Sequence, residues 1–170
     1  MLSSMERVIQ LKKIPLFSGL QAKELAAIGA IVKERAFAAG GVIIQEGAPG
    51  DSLFLVLRGR VKVIKAMDSA NPIQLAEIGP EEWFGEMALF DRQPRSASVV
   101  ACEDTQLLEL GRFEFEEIMR EFPSIAIHAC QVFTRRLREL QEKLGWLKEK
   151  SPKNGSVLFS VQASQAKAPD

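Results

Sequence analysis

Trp83-Phe84-Gly85-Glu86-Met87-Ala88-Leu89-Phe90-Asp91-Arg92-Gln93-Pro94-Arg95-Ser96-Ala97-Ser98-Val99 is the stretch around which this 170-residue chain is organised. Gly85 lets the backbone come close to a ligand, and the good helix formers after it put several outward amide N–H groups at a helix start. Such a start attracts anions. Nine residues after Glu86, past a turn marked by Asp91 and Pro94, Arg95 offers a permanent charge in a planar fork that fits two phosphate oxygens. Ser96 adds a hydroxyl beside it. Glu86 would repel a phosphate, so it makes sense facing another part of the ligand, such as a ribose hydroxyl that donates to it. Taken singly, a Glu in a first helical turn favours the helix dipole, and an Arg after a proline turn is an ordinary solvated charge. Together they measure out a sugar-phosphate.

On either side of this stretch the apolar period is two. Residues 33–37, 42–44, 53–57, 61–65 and 73–78 are short apolar or alternating runs, punctuated by Gly40-Gly41, Gly47, Pro49-Gly50-Asp51, Arg58-Gly59, Asn71-Pro72 and Gly79-Pro80. Ala97 to Ala101 and Thr105 to Leu110 add two more, with a Glu103-Asp104 turn between. Turns this regular predict a closed or rolled antiparallel barrel. The flanks are helical. Met5 to Lys12, capped by Ser3 or Ser4 and ended by Pro15, has Val8, Ile9 and Leu11 as its apolar side, and Ala22 to about Ile31 follows with Leu25, Ile28 and Val32. After the barrel, Arg112 to Glu121 is expected to bury Phe113, Ile118 and Met119. Pro123 then opens a helix to about Glu149, roughly 40 Å long at 1.5 Å per residue. Ala126, Cys130, Phe133, Leu137, Leu140, Leu144 and Leu147 form a heptad-like seam along it. The fold class is therefore α+β: an antiparallel β jelly-roll barrel flanked by N-terminal helices and a long C-terminal helix. The divisions fall at 1–31 (helical lead-in), 32–111 (barrel, with the expected phosphate-binding stretch at 84–97), 112–150 (C-terminal helices) and 151–170 (a flexible tail with one stray strand at Val157 to Val161).

Composition narrows the function. Lys and Arg number 22 against 22 Asp and Glu, so no overall field draws nucleic acid or an anionic membrane. The N-terminus lacks the apolar core of a signal peptide and no apolar run reaches membrane-span length, which predicts a cytoplasmic protein. Cys102 and Cys130 are too few for a disulfide framework or zinc site and are expected to be reduced core residues. A jelly roll also raises metal-dependent cupin chemistry, which needs several His. His128 is the single one, on a helix. Neither a nucleophile–base pair nor a Walker-type loop is present, so an enzyme is not expected, nor a cofactor.

At Phe84, Gly85, Glu86, Ala88, Leu89, Arg95, Ser96 and Ala97 the chain resembles the cyclic nucleotide-binding domain family, whose phosphate-binding cassette reads, loosely, F-G-E-x-A-L, a short loop, then R-[STA]-A. Met87 fills its variable position. The resemblance implies that Glu86 holds the ribose 2′-hydroxyl and Arg95 the cyclic phosphate, with Ser96 and the amides of Gly85, Glu86 and Ala97 on the rest of the anion. It also implies a helical lead-in that moves when ligand binds. Residues 115–147 are similar to bacterial cyclic AMP-dependent activators, including Phe122-Pro123, Arg135-Arg136-Leu137 and Glu142-Lys143-Leu144-Gly145. Where those activators present a Thr-Ser pair to adenine, Leu140-Gln141 stands here, an apolar lid with one side-chain amide. The seam is open to two readings: a lid over the barrel mouth, or a parallel homodimer. Twenty residues follow Lys150, too few for a helix-turn-helix domain. The expectation is a stand-alone sensor that binds cyclic AMP in preference to cyclic GMP and signals to an effector protein. The rival readings are a scaffold or dimerisation module that has lost its ligand and a DNA-binding regulator acting through Arg135, Arg136 and Arg138.

Overall fold

The computed structural model describes residues 2–150, with the side chains of residue 140 and residues 143–150 outside the description. The seven alternating runs become strands, and Trp83–Phe84 adds an eighth: β1 (Lys33–Phe37), β2 (Val42–Ile44), β3 (Ser52–Arg58), β4 (Val61–Lys65), β5 (Ile73–Ile78), β6 (Trp83–Phe84), β7 (Ser98–Ala101) and β8 (Thr105–Gly111). They form two four-stranded sheets, ordered β1-β8-β3-β6 and β2-β7-β4-β5. Every pairing is antiparallel. This is the jelly-roll-like sandwich that the spacing of turns predicts.

Strand β3 explains how the layers stack. Successive side chains point to opposite faces, and both faces are covered, which is why Leu53-Phe54-Leu55-Val56 reads as an unbroken apolar run. Phe54 and Val56 join Ile44, Val61, Phe84, Val99 and Leu107 between the sheets. Leu53 and Leu55 turn the other way and pack with Leu108 and Leu110 against the helices. The barrel thus shares one strand between two cores.

Among the described residues six helices precede, interrupt or follow the strands: α1 (Ser4–Lys13), α2 (Pro15–Ser18), α3 (Ala22–Ile31), α4 (Met87–Phe90), α5 (Arg112–Glu121) and α6 (Pro123–Lys150). Ser3 caps α1 in a reciprocal box: Glu6 N–H donates to its hydroxyl at 3.3 Å, and Ser3 N–H donates to Glu6 Oε2 at 2.7 Å. Pro15 ends α1 but also opens α2, since the first position of a helix needs no N–H donor. Glu24 on α3 is only 3% exposed. Ser124 Oγ of α6 donates to its Oε1, and Gln21 N–H donates to its Oε2 at 2.6 Å.

On α1 and α5 one residue of the expected apolar face is exposed, and on α6 the face is rotated by one residue. On α1, Leu11 is buried while Ile9 is exposed. On α5 the buried pair is Phe115 and Ile118, and Phe113 is 73% exposed. On α6 the buried stripe is Ile125, Ala129 and Val132 instead of Ala126, Cys130 and Phe133, although Phe133 still packs on the core's edge. One helical residue is a rotation of about 100°, so Cys130, next to Ala129, faces solvent. Cys102 lies in the turn after β7 and is exposed too; neither cysteine is the core residue expected. His128 Nε2 lies 3.2 Å from the Pro15 carbonyl, and its ring stands over Gly19, where any Cβ would collide with it. The chain divides into a compact unit, Met1–Thr134, and a second unit from Arg135 onward, whose described part is helical. Leu137 is 57% exposed. The expected tail at 151–170, its stray strand, and the side chains of Leu140, Leu144 and Leu147 fall outside the described residues.

Candidate functional site

A cavity of about 260 Å³ opens beside the cassette. Its apolar wall comes from one sheet, through Ile44, Val63, Ile78 and Val99, and its floor from Trp83 and Phe84 of β6. Phe84 is 4% exposed and stacks on Phe54 of β3, with ring centroids 5.3 Å apart and planes 19° apart. This stacking pins the residue before Gly85. Gly85 then turns the chain at φ +78°, where a Cβ would sit 2.8 Å from Arg95 Nη1 and 3.0 Å from the Ser52 carbonyl. Only glycine makes that turn without strain.

Glu86 is the half-buried N-cap of α4 and lines the cavity. The helix closes through Leu89 N–H to the Glu86 carbonyl at 3.0 Å and Asp91 N–H to the Met87 carbonyl at 2.9 Å. Ala88 and Leu89 are buried, while Met87 is 59% exposed at the cavity rim. Arg112 of α5 donates through Nη1 to the Asp91 carbonyl at 2.9 Å, tying the end of α4 to the C-terminal helices. Ser96 is exposed and Ala97 buried, and both line the cavity.

Arg95 is the centre of the arrangement. Its Nη2 donates to the Ser52 carbonyl at 2.8 Å and to Ser52 Oγ at 3.2 Å, and its Nη1 donates to the Gly85 carbonyl at 3.3 Å. Gly50 lies flat against its side chain: a Cβ there would be 2.5 Å from Arg95 Nε. Two backbone bonds flank it, Arg95 N–H to the Ala48 carbonyl and Gly47 N–H to the Arg95 carbonyl, both 2.9 Å. Burial pushes the pKa of Arg95 down, with Arg112 adding to the effect and Asp51 and Glu109 opposing it from a distance. Guanidinium stays charged even so. Among the described residues its direct partners are neutral oxygens, with no carboxylate at ion-pair distance. A half-buried cation held this way is poised for an anion, because an uncompensated charge in such a place is costly.

The structure therefore brings Phe84, Gly85, Glu86, Met87, Ala88, Arg95, Ser96 and Ala97 around one cavity. Leu140 and Gln141 lie on α6 in the second unit, where the Gln141 side chain is exposed. Gly50 and Ser52 are contributors that the sequence reading misses: it takes Gly50 as part of a turn and does not single out Ser52. Their signal, Gly-Asp-Ser just before an apolar strand, has meaning only once β3 is known to run beside the cassette.

The sequence profile of the Cyclic nucleotide-binding domain matches residues 34–122. The chain belongs to that family. It is 36% identical over 144 residues to the Cyclic AMP receptor protein of Thermus thermophilus, covering 85% of this chain and 67% of that protein. It is 38% identical over 109 residues to a cAMP-dependent protein kinase regulatory subunit of Aspergillus fumigatus, covering 64% of this chain and 26% of that one. Among solved structures, the N-terminal domain of a transcriptional regulator from Streptomyces coelicolor A3(2) superposes with a TM-score of 0.71 at 33% identity, over 78% of this chain and 95% of that one. The cyclic nucleotide-binding domain of the present chain thus spans only part of each of the two named relatives. The family model's range, residues 34–122, takes in the whole cassette and every residue lining the cavity.

Proposed function

We propose that this cyclic nucleotide-binding domain senses cyclic AMP in preference to cyclic GMP and passes the signal to a partner protein by a conformational change. The observation that carries the reading is Arg95, half-buried and held by the Ser52 and Gly85 oxygens, with no carboxylate at ion-pair distance among the described residues. A cyclic phosphate supplies an anion. Glu86 takes the ribose 2′-hydroxyl, and Ser96 with the amides of Gly85, Glu86 and Ala97 takes the remaining phosphate oxygens. Catalysis has no part in this reading: ligand shifts a population of conformers, in keeping with relatives named as a receptor and a regulatory subunit.

Transmission runs through aromatic rings. Phe90, at the end of α4, meets Phe133 of α6 at 5.0 Å and Phe115 of α5 at 6.0 Å, both edge-on. Phe115 in turn meets Phe17 of α2 at 6.2 Å. A cassette drawn inward by phosphate would move Phe90, and three flanking helices would feel it. The reading places the protein in the cytoplasm; among the described residues no helix is long and apolar enough to cross a membrane. The test is thermal: cyclic AMP should raise the melting temperature saturably and at lower concentration than cyclic GMP, since a ligand bound only to the folded state stabilises it by mass action. No shift with either would favour the scaffold reading, with α6 as its working surface.

A further inference from the structure

The second half of the cassette is also held by a contact outside Arg95's anchors. Lys65 ends β4 on the same face of the sheet as Val63, which lines the cavity, because alternate strand residues share a face. Its ammonium donates to the Ser96 carbonyl at 2.7 Å and pairs with Glu46 Oε1 at 2.6 Å. Glu46 is itself fixed: its Oε2 accepts from Ala66 N–H at 2.7 Å, and its own N–H donates to the buried Ser98 hydroxyl at 2.9 Å. The hydrogen bond from Lys65, then that from Ala66 N–H, holds the Glu46 carboxyl below the usual carboxylate range. A lysine at a strand end ordinarily leaves its ammonium in water. An ion pair this exposed adds little to stability, so its effect lies in what it orients.

What it orients is a peptide of the anion site. The Ser96 carbonyl belongs to the same peptide group as the Ala97 N–H, and in a trans peptide the two point in opposite directions. Pinning the oxygen aims the N–H away from Lys65. A charged donor on the oxygen also draws electron density from the nitrogen and strengthens its N–H as a donor, as hydrogen bonds in a chain polarise one another. We propose that Lys65, oriented by Glu46, is a positioning residue of the nucleotide site that aims and polarises the Ser96–Ala97 peptide toward the cyclic phosphate. The inference rests on the nucleotide reading of the cavity and deepens it.

The test compares wild type, Lys65→Met, Lys65→Arg and Glu46→Gln with cyclic AMP and with the two phosphorothioate diastereomers of cyclic AMP, in which one or the other exocyclic oxygen is sulfur. Lys65→Met should weaken cyclic AMP about tenfold, as loss of a charge-assisted contact does. It should also change the affinity ratio of the diastereomers, with Lys65→Arg restoring part of both and Glu46→Gln lying between. Equal loss for both diastereomers alongside a lowered melting temperature would show a merely structural role, and binding within about twofold of wild type would remove any role; either overturns the proposal. The Ala97 amide proton resonance of the ligand-free proteins provides a readout that needs no nucleotide. It should move upfield in Lys65→Met, and an unmoved resonance overturns the proposal as well. Should wild type bind neither cyclic nucleotide, the nucleotide reading fails, while the Ala97 resonance still decides whether Lys65 polarises that peptide.

Discussion

Around Arg95 two glycines leave room that any side chain would fill. Gly50 lies flat beneath its stem, Gly85 bends past its guanidinium, and Ser52 presents a carbonyl and a hydroxyl to the same nitrogen. Gly85→Ala would place a methyl group 2.8 Å from Nη1 at a positive φ, which costs about 1–2 kcal/mol in backbone strain alone. The expected outcome is a lower melting temperature together with at least roughly tenfold weaker nucleotide binding, because Arg95 must move. Glu86→Ala should act more narrowly, weakening cyclic AMP while leaving its 2′-deoxy analogue nearly unchanged; competition binding with both ligands checks it. Gly85 and Arg95 are legible in the sequence because their types and spacing carry chemistry by themselves. Gly50 and Ser52 are not, because a turn residue acquires a neighbour only when strands distant in sequence pair.

The helices show where the period of a sequence stops being informative. Phe113 and Phe115 both fit an amphipathic α5, yet Phe115 is fully buried between Phe17 and Phe90 while Phe113 is 73% exposed. The choice is made by what α5 packs on, which no single helix encodes. Strand β6, two residues long, is too short to show any period, and α2 hides behind a proline that also reads as a stop. Phe90→Ala deletes two edge-on pairs, each worth about 0.5–1.5 kcal/mol beyond burial. Cyclic AMP should still bind, but the ligand-induced change in amide exchange over residues 123–134 should shrink. Glu24 is the polar counterpart, a buried carboxylate joining α3 to α6. Its pKa is lowered chiefly by the Ser124 hydroxyl and next by the Gln21 amide. A depressed carboxyl stabilises the fold fully above its ordinary value of 4.5 and ceases to do so as pH falls through the lower folded value. Glu24→Ala should therefore cost about 1–3 kcal/mol at neutral pH, and the difference from wild type should narrow in acid-unfolding curves.

At the scale of the whole molecule, two sheets form the frame, with β3 of one of them facing both cores, and among the described residues the cassette is where a helix interrupts the strands. The alternation of apolar runs and turns makes the barrel legible, since burial on both faces of β3 and regular turns leave few other arrangements. The role of α6 is less so. Ile127, Cys130, Thr134 and Leu137 stand exposed at spacings of three and four along it, the pattern of a parallel coiled-coil seam. We therefore expect a homodimer in solution; light scattering should give twice the chain mass, and Ile127→Glu with Leu137→Glu should return it to the monomer. The central claim is that Arg95 awaits a cyclic phosphate, and calorimetric titration of cyclic AMP into wild type and Arg95→Ala tests it most directly. Wild type should bind saturably at one site per chain, and the variant should lose on the order of 3–5 kcal/mol, a hundredfold or more in affinity. A variant that binds within about tenfold of wild type would contradict the account, as would a wild-type protein that takes up no cyclic nucleotide.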